Sequence, residues 1–266
     1  MAEKVKGILL LVNQRIINPK NGSYQPALLK GIIFGLSVLV LELYKFPWFL
    51  SVGFVILAII LYFSPLFNAR RLFFAFLILV FLTFLIPSKF AINFSQEASM
   101  YPQIAFGAFF GFLFYLLIGI KQLIFINRKN AYYFLYLSIL YQGFLLYFAA
   151  EKIYTLSDFY KTTLLILFLF AIIREFFRIN KHPKSRLFTA TVFVLVLINL
   201  EIAWAINLLT IEFTSAASLA TLFGFISTEA MRRYLQEELN AKFLRYSMVS
   251  FLILSIVILL FSSWGP

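Results

Sequence analysis

Cysteine is absent from the 266 residues, and histidine occurs once, at His182. Disulfides, iron–sulfur clusters, thiolate zinc sites and cysteine nucleophiles are therefore excluded. One histidine cannot supply the histidine pair of a membrane metalloprotease. Aspartate also occurs once, at Asp158, which removes the paired aspartates that hold magnesium pyrophosphates in prenyl or lipid-headgroup transfer. A serine hydrolase needs a histidine or lysine base beside its nucleophile, and no such base stands midway along an apolar run. Neither GxxxxGK[ST] nor GxGxxG occurs, so those nucleotide cradles are missing too. No catalytic residue, metal ligand or cofactor is expected.

Charge is scarce as well. Charged residues make up 13% of the chain and hydrophobic ones 62%, against about 25% and about 45–50% in soluble domains. A single core cannot hide that excess, so the expected solvent is lipid. The net charge of +12 raises nucleic acid as a partner, but the basic residues cluster at the ends of apolar runs. That distribution points to a bilayer surface carrying anionic lipid, and no nucleic acid is expected.

What the chain has is long apolar runs. A spanning helix takes about 20 largely apolar residues, and nine stretches qualify: 28–46, 48–67, 70–86, 104–126, 131–150, 156–174, 187–209, 213–231 and 244–263. The third is the weakest, because Pro87 is expected to stop it and Arg70 and Arg71 must snorkel. The expected fold is all-α: a polytopic transmembrane helix bundle of about nine spans forming one domain over 27–266. Residues 1–20 do not read as a secretory signal. Val5, Ile8, Leu9, Val12 and Ile16 share one helical face, the pattern of an amphipathic helix lying in the bilayer interface.

Basic residues set the orientation. With the N-terminus inside, Lys45, Lys89, Lys152 and Lys161 lie outside and the rest of the 23 lysines and arginines lie inside. Dropping the third span would move the Lys121–Lys129 cluster outside and reverse everything after it. Nine crossings, N-in and C-out, in a bacterial cytoplasmic membrane are expected. Gly31 with Gly35, and Gly107 with Gly111, form two GxxxG pairs, which let helix backbones approach closely. Packing inside the chain is the expected use.

Within the apolar runs, Glu201 stands out, about 5 Å from the middle of its span. A carboxylate at mid-membrane costs about 2.5–3.5 kcal/mol, tolerated where the group faces protein, holds a proton or touches water. Glu42 and Gln142 lie at comparable depth and extend the candidate polar layer. Asn199 and Asn207 lie about 160° and 120° from Glu201 around the helix, so this span is expected to be interior, with Glu201 sheltered by neighbouring helices. Glu201, Glu42, Gln142 and Asn199 are thus the candidate substrate- or proton-binding residues. In "REFFRINKHPKSR", Arg174, Arg178 and Lys181 recur at helical spacing and are the candidate contacts to anionic lipid. The stretch 227–246 is expected to carry the eighth helix out of the membrane, with Glu229–Arg233 and Glu238–Lys242 as i,i+4 pairs.

Three functions remain open: a transporter-like protein for a small or amphipathic solute centred on Glu201, a non-enzymatic scaffold or accessory subunit with a membrane-protein partner, and a lipid-modifying enzyme working at the Arg174–Arg186 face. The missing acid–base residues speak against the last.

Overall fold

The computed structural model describes residues 24–64, 72–94, 101–122, 124–125, 127–153, 158–179 and 186–263. Residues 1–20, with their expected interfacial helix, lie outside these. Among the described residues every regular element is a helix apart from one isolated bridge residue: α1 (Tyr24–Leu43), α2 (Trp48–Phe63), α3 (Phe73–Phe94), α4 (Tyr101–Lys121), α5 (Arg128–Ile153), α6 (Asp158–Ile179), α7 (Arg186–Asn207), α8 (Phe213–Leu235) and α9 (Ala241–Phe261). Each apolar stretch of the sequence holds one of them. Five, namely α1, α4, α5, α7 and α9, are long and apolar enough to cross a membrane, which marks the chain as a membrane protein. Of the others, α2 has only 16 residues, and α6 and α8 carry ionisable side chains in their last turns.

Helices are what these sequences must form in lipid, because every backbone donor and acceptor is then satisfied within the segment. Hydroxyls follow the same rule. Ser37, Thr163, Ser218 and Thr221 each donate to the carbonyl four residues earlier, at 2.7–2.8 Å, so they enter apolar helices without a stray donor.

Several boundaries shift by a few residues, and two of the differences trace to single residues. Helix α3 does not stop at Pro87 but runs on to Phe94. Proline's fixed φ is helical, and the ring costs the helix one donor plus crowding of the preceding turn, which membrane helices tolerate. The long eighth helix, by contrast, breaks. Helix α8 ends at Leu235, Gln236 N–H closes on the carbonyls of Arg232 and Arg233, and Glu237 takes φ 58°. Asn240 then starts α9, its Oδ1 accepting from Phe243 N–H at 2.7 Å. Asparagine is among the strongest N-caps, and its bond fixes a new helix start where a continuous one was expected. Glu238 and Lys242 therefore do not share a helix.

The chain divides into two compact units, one of residues 1–70 and 83–135, the other of residues 71–82 and 136–266. In the first unit, α1 crosses α4 at the glycines. A Cβ on Gly35 would sit 2.6 Å from the Gly107 carbonyl oxygen, and one on Gly111 2.8 Å from that of Gly31. Gly31 meets Gly111 while Gly35 meets Gly107, so the two helices run antiparallel. Phe34 of α1 stacks on Phe114 of α4 at 4.1 Å and tilts against Phe54 of α2 at 5.2 Å. At the C-terminal end of α2, Lys30 donates to the Leu61 carbonyl at 3.0 Å and to that of Ser64, and Lys121 donates to that of Tyr62. Two ammonium groups thus satisfy carbonyls a helix end leaves open and complement its negative dipole end.

The second unit is held by aromatic and small-residue contacts. Tyr136 of α5 packs on Phe176 of α6 at 4.6 Å and hydrogen-bonds Thr228 of α8 at 3.1 Å. Phe177 of α6 meets Phe188 of α7 edge-on at 6.2 Å. Gly224 of α8 receives Leu140 and Phe144 of α5 together with Asn199 of α7. Helix α9 buries none of its residues; it touches α8 along one stripe, where Phe251 meets Phe223 at 6.1 Å.

Candidate functional site

Helix α7 has two faces of opposite fate. Val192, Leu195, Val196, Asn199, Ala203 and Ile206 are buried in its unit. Asn199 is 1% exposed; its Nδ2 donates to the Leu195 carbonyl at 2.7 Å and more weakly to Ser227 Oγ at 3.4 Å. Its Oδ1 is turned toward Gly224 and has no hydrogen-bond partner among the described residues.

Glu201 lies on the other face. Its side chain is exposed on the outside of the unit, next to Trp204, which is 70% exposed. The expectation that neighbouring helices of this chain shelter Glu201 is not met. The physical reason lies in the 160° between Glu201 and Asn199: only one of the two can face inward, and the amide took that side. The carboxyl forms no hydrogen bond or ion pair among the described residues.

Glu42 and Gln142, by contrast, are interior. Glu42 is 4% exposed near the end of α1, and its Oε2 has no hydrogen-bond partner. Lys45, three residues on, is exposed in a left-handed turn with φ 55°; its backbone N–H closes on the Glu42 carbonyl at 3.0 Å. Gln142 is 3% exposed on α5, and neither of its amide atoms has a partner. Leaving a buried polar group unpaired costs about 1–3 kcal/mol, so both positions carry a penalty that their polar atoms do not recover within the described residues. Glu42 belongs to the first unit, Gln142 and Glu201 to the second. Neither of two described clefts reaches these side chains. One, of about 280 Å³, is lined by Ser51, Val52, Val55, Ile56 and Phe84. The other, of about 110 Å³, lies among residues such as Phe148, Asn207, Ile211 and Phe213.

The basic end of the second unit holds ionic groups that sequence reading undervalued. Arg232 clamps Glu229 with two bonds, Nε to Oε2 at 2.8 Å and Nη2 to Oε1 at 2.6 Å, and its Nη1 reaches Gln236. Such forked pairs are among the strong charge-assisted bonds. Arg233 adds a third bond at 3.1 Å and lies 4.0 Å above the Phe243 ring. The expected Glu229–Arg233 pair is thus present, but within a cluster where Glu229 and Arg232 are buried rather than on an open helix. The spacing "TEAMRR" carried this signal, at i,i+3 as well as i,i+4.

Glu175 went unremarked in the sequence because phenylalanines and basic residues surround it. It is 1% exposed, its Oε1 is unpartnered, and Arg178 stands 3.9 Å from Oε2. It falls just beyond the expected span of 156–174. Burial pushes its carboxyl up to about 7, against the opposing pull of Arg178 and Arg174. Arg174 is exposed beside the Phe170 ring, 5.9 Å away, and Arg178 is partly committed to Glu175; Lys181 lies outside the described residues. Among those residues no cluster of three or more His, Asp or Glu side chains is arranged to hold a metal ion. No protein-family model, curated protein or solved structure matches this chain, so its chemistry rests on its own side chains.

Proposed function

We propose that the chain is a nine-span protein of a bacterial cytoplasmic membrane, N-terminus inside and C-terminus outside, that works as a non-enzymatic scaffold or accessory subunit of a membrane complex. The observation that carries this reading is the exposed Glu201 in the apolar stretch 188–207 of α7. At about 5 Å from the middle of that stretch it falls well within a hydrocarbon slab about 30 Å thick. Acyl chains offer it no hydrogen bond, and its cost of about 2.5–3.5 kcal/mol is met when another protein helix covers it. The antiparallel crossing of α1 and α4 supports the span count, since it requires that α2 and α3 cross together or not at all.

A photo-activatable residue replacing Trp204 tests the reading in native membranes. A discrete protein adduct is expected on illumination, and adducts to lipid alone would overturn it. A second reading, transport of a small or amphipathic solute, is favoured by the unpartnered, buried Glu42 and Gln142. It predicts that Glu42→Gln abolishes a solute flux in reconstituted vesicles while the protein stays folded.

A further inference from the structure

We infer that the end of the first unit where α2 finishes is a binding site for the phosphate of one anionic lipid, held between the ammonium groups of Lys30 and Lys121. The inference needs only a membrane-embedded chain and stands apart from the scaffold reading.

Two helices deliver these groups to one place. Lys30 of α1 donates to the Leu61 carbonyl at 3.0 Å and to that of Ser64, while Lys121 of α4 donates to that of Tyr62. All three carbonyls belong to the last turn of α2 and its C-cap. Aromatic rings lie beside them: Lys121 Nζ stands 4.2 Å from the centre of the buried Tyr62 ring and 5.6 Å from that of Phe63. The placement is set by the helix crossing. Lys30 directly precedes Gly31, where a Cβ would stand 2.9 Å from the Gly111 carbonyl oxygen of α4.

Charge selects the ligand. A helix C-terminus carries about −0.5 elementary charge, so two ammonium groups leave most of their charge unbalanced there. Neither lysine forms an ion pair among the described residues. The carbonyl bonds also use only half of the donors that two ammonium groups carry. A negatively charged acceptor reaching both lysines completes the site, and lysine serves phosphate as a point charge.

Position selects the source of that phosphate. Lys121 closes the apolar span Tyr101–Lys121, so the pair lies where hydrocarbon gives way to headgroups. Ile60, on the same turn of α2, and Ile56, one turn earlier, are exposed. They offer an acyl chain a track that free phosphate would not use. Basic pockets between membrane helices hold lipid headgroups in this way.

The test titrates the full chain in neutral detergent with phosphatidylglycerol and counts bound lipids by native mass spectrometry, with zwitterionic phosphatidylcholine as reference. One phosphatidylglycerol is expected to bind more tightly than phosphatidylcholine. Lys30→Gln and Lys121→Gln should each weaken it about 5-fold, the share of one basic residue beside an anionic lipid surface. Lys121→Arg keeps the charge and should retain the lipid. Lys129→Gln removes one charge from an exposed lysine and should leave binding unchanged. Phosphatidylglycerol should also raise the unfolding temperature of the wild type more than that of the double glutamine variant, a difference readable even where the variant starts less stable. Equal binding of the two lipids, equal loss in Lys129→Gln, unchanged binding in both glutamine variants, or displacement by equimolar inorganic phosphate would each overturn the site.

Discussion

A carboxylate buried beside two arginines feels opposing forces, and at Glu175 burial wins: the group sits at about 7 rather than its ordinary 4.5. The folded chain thus holds this proton more tightly than the unfolded one. Stability is fully present below pH about 4.5, falls as pH rises toward about 7, and is level above that. Thermal unfolding in detergent micelles between pH 5 and pH 8 should show this decline. Glu175→Gln cannot ionise, so it should flatten the profile and unfold at a higher temperature than wild type at pH 8. A wild-type profile that is already flat, or an equal slope in the variant, would refute the assignment. At this scale the sequence was only partly legible. It identified Asn199, Glu42 and Gln142 as polar groups in apolar helices, and all three are interior. It misjudged Glu201, because in a helix apolar all round the pattern does not say which face is inside. With lipid on one side and protein on the other, Leu197 and Leu195 look alike in sequence, although one is exposed and the other buried.

Elements were easier to read than faces. Among the described residues each of the nine apolar runs contains one helix, because lipid demands internal backbone pairing over the same length that hydropathy reports. The boundaries that failed were set by single residues with competing effects: Pro87, compatible with a helix already under way, and Asn240, whose side chain starts a helix of its own. Glycine spacing was read correctly, since Gly31, Gly35, Gly107 and Gly111 lie at one contact inside the first unit. The crossing of α1 and α4 should be intolerant of any side chain there. In Gly35→Ala the new methyl group would stand 2.6 Å from the Gly107 carbonyl oxygen, a rigid backbone atom. Overpacking of this kind costs about 1–3 kcal/mol, so the variant's unfolding temperature in detergent should fall by several degrees. Gly53→Ala is the control. A Cβ at Gly53 meets nothing within 4 Å, and alanine is the better helix former by about 1 kcal/mol, so that variant should unfold at the wild-type temperature or slightly above. Equal behaviour of the two would remove the close crossing.

For the whole molecule, the antiparallel crossing imposes a parity that charge counting alone does not. Suppose α2 crosses the membrane and α3 does not. Then α1 and α4 would run in the same direction, and Gly31 could not face Gly111 while Gly35 faces Gly107. Lys30, the end of α2 and Lys121 also meet at one end of the first unit, as they must if α1 leaves that side and α2 and α4 return to it. In the second unit, Ser263 after α9 donates to Glu212 before α8 at 3.0 Å, so those two helices also run oppositely. The proposed nine crossings are compatible with these contacts and would concentrate the basic residues on one side. Absence of cysteine makes the prediction direct, since single cysteines can be introduced without a background thiol. Lys45→Cys and Ser263→Cys should react with a membrane-impermeant maleimide added from outside to intact cells. Lys129→Cys and Lys242→Cys should stay unreactive until the membrane is opened. Labelling of Lys129→Cys from the same side as Lys45→Cys would mean that an odd number of the helices α2 to α4 fails to cross, and would reverse the orientation of every helix that follows.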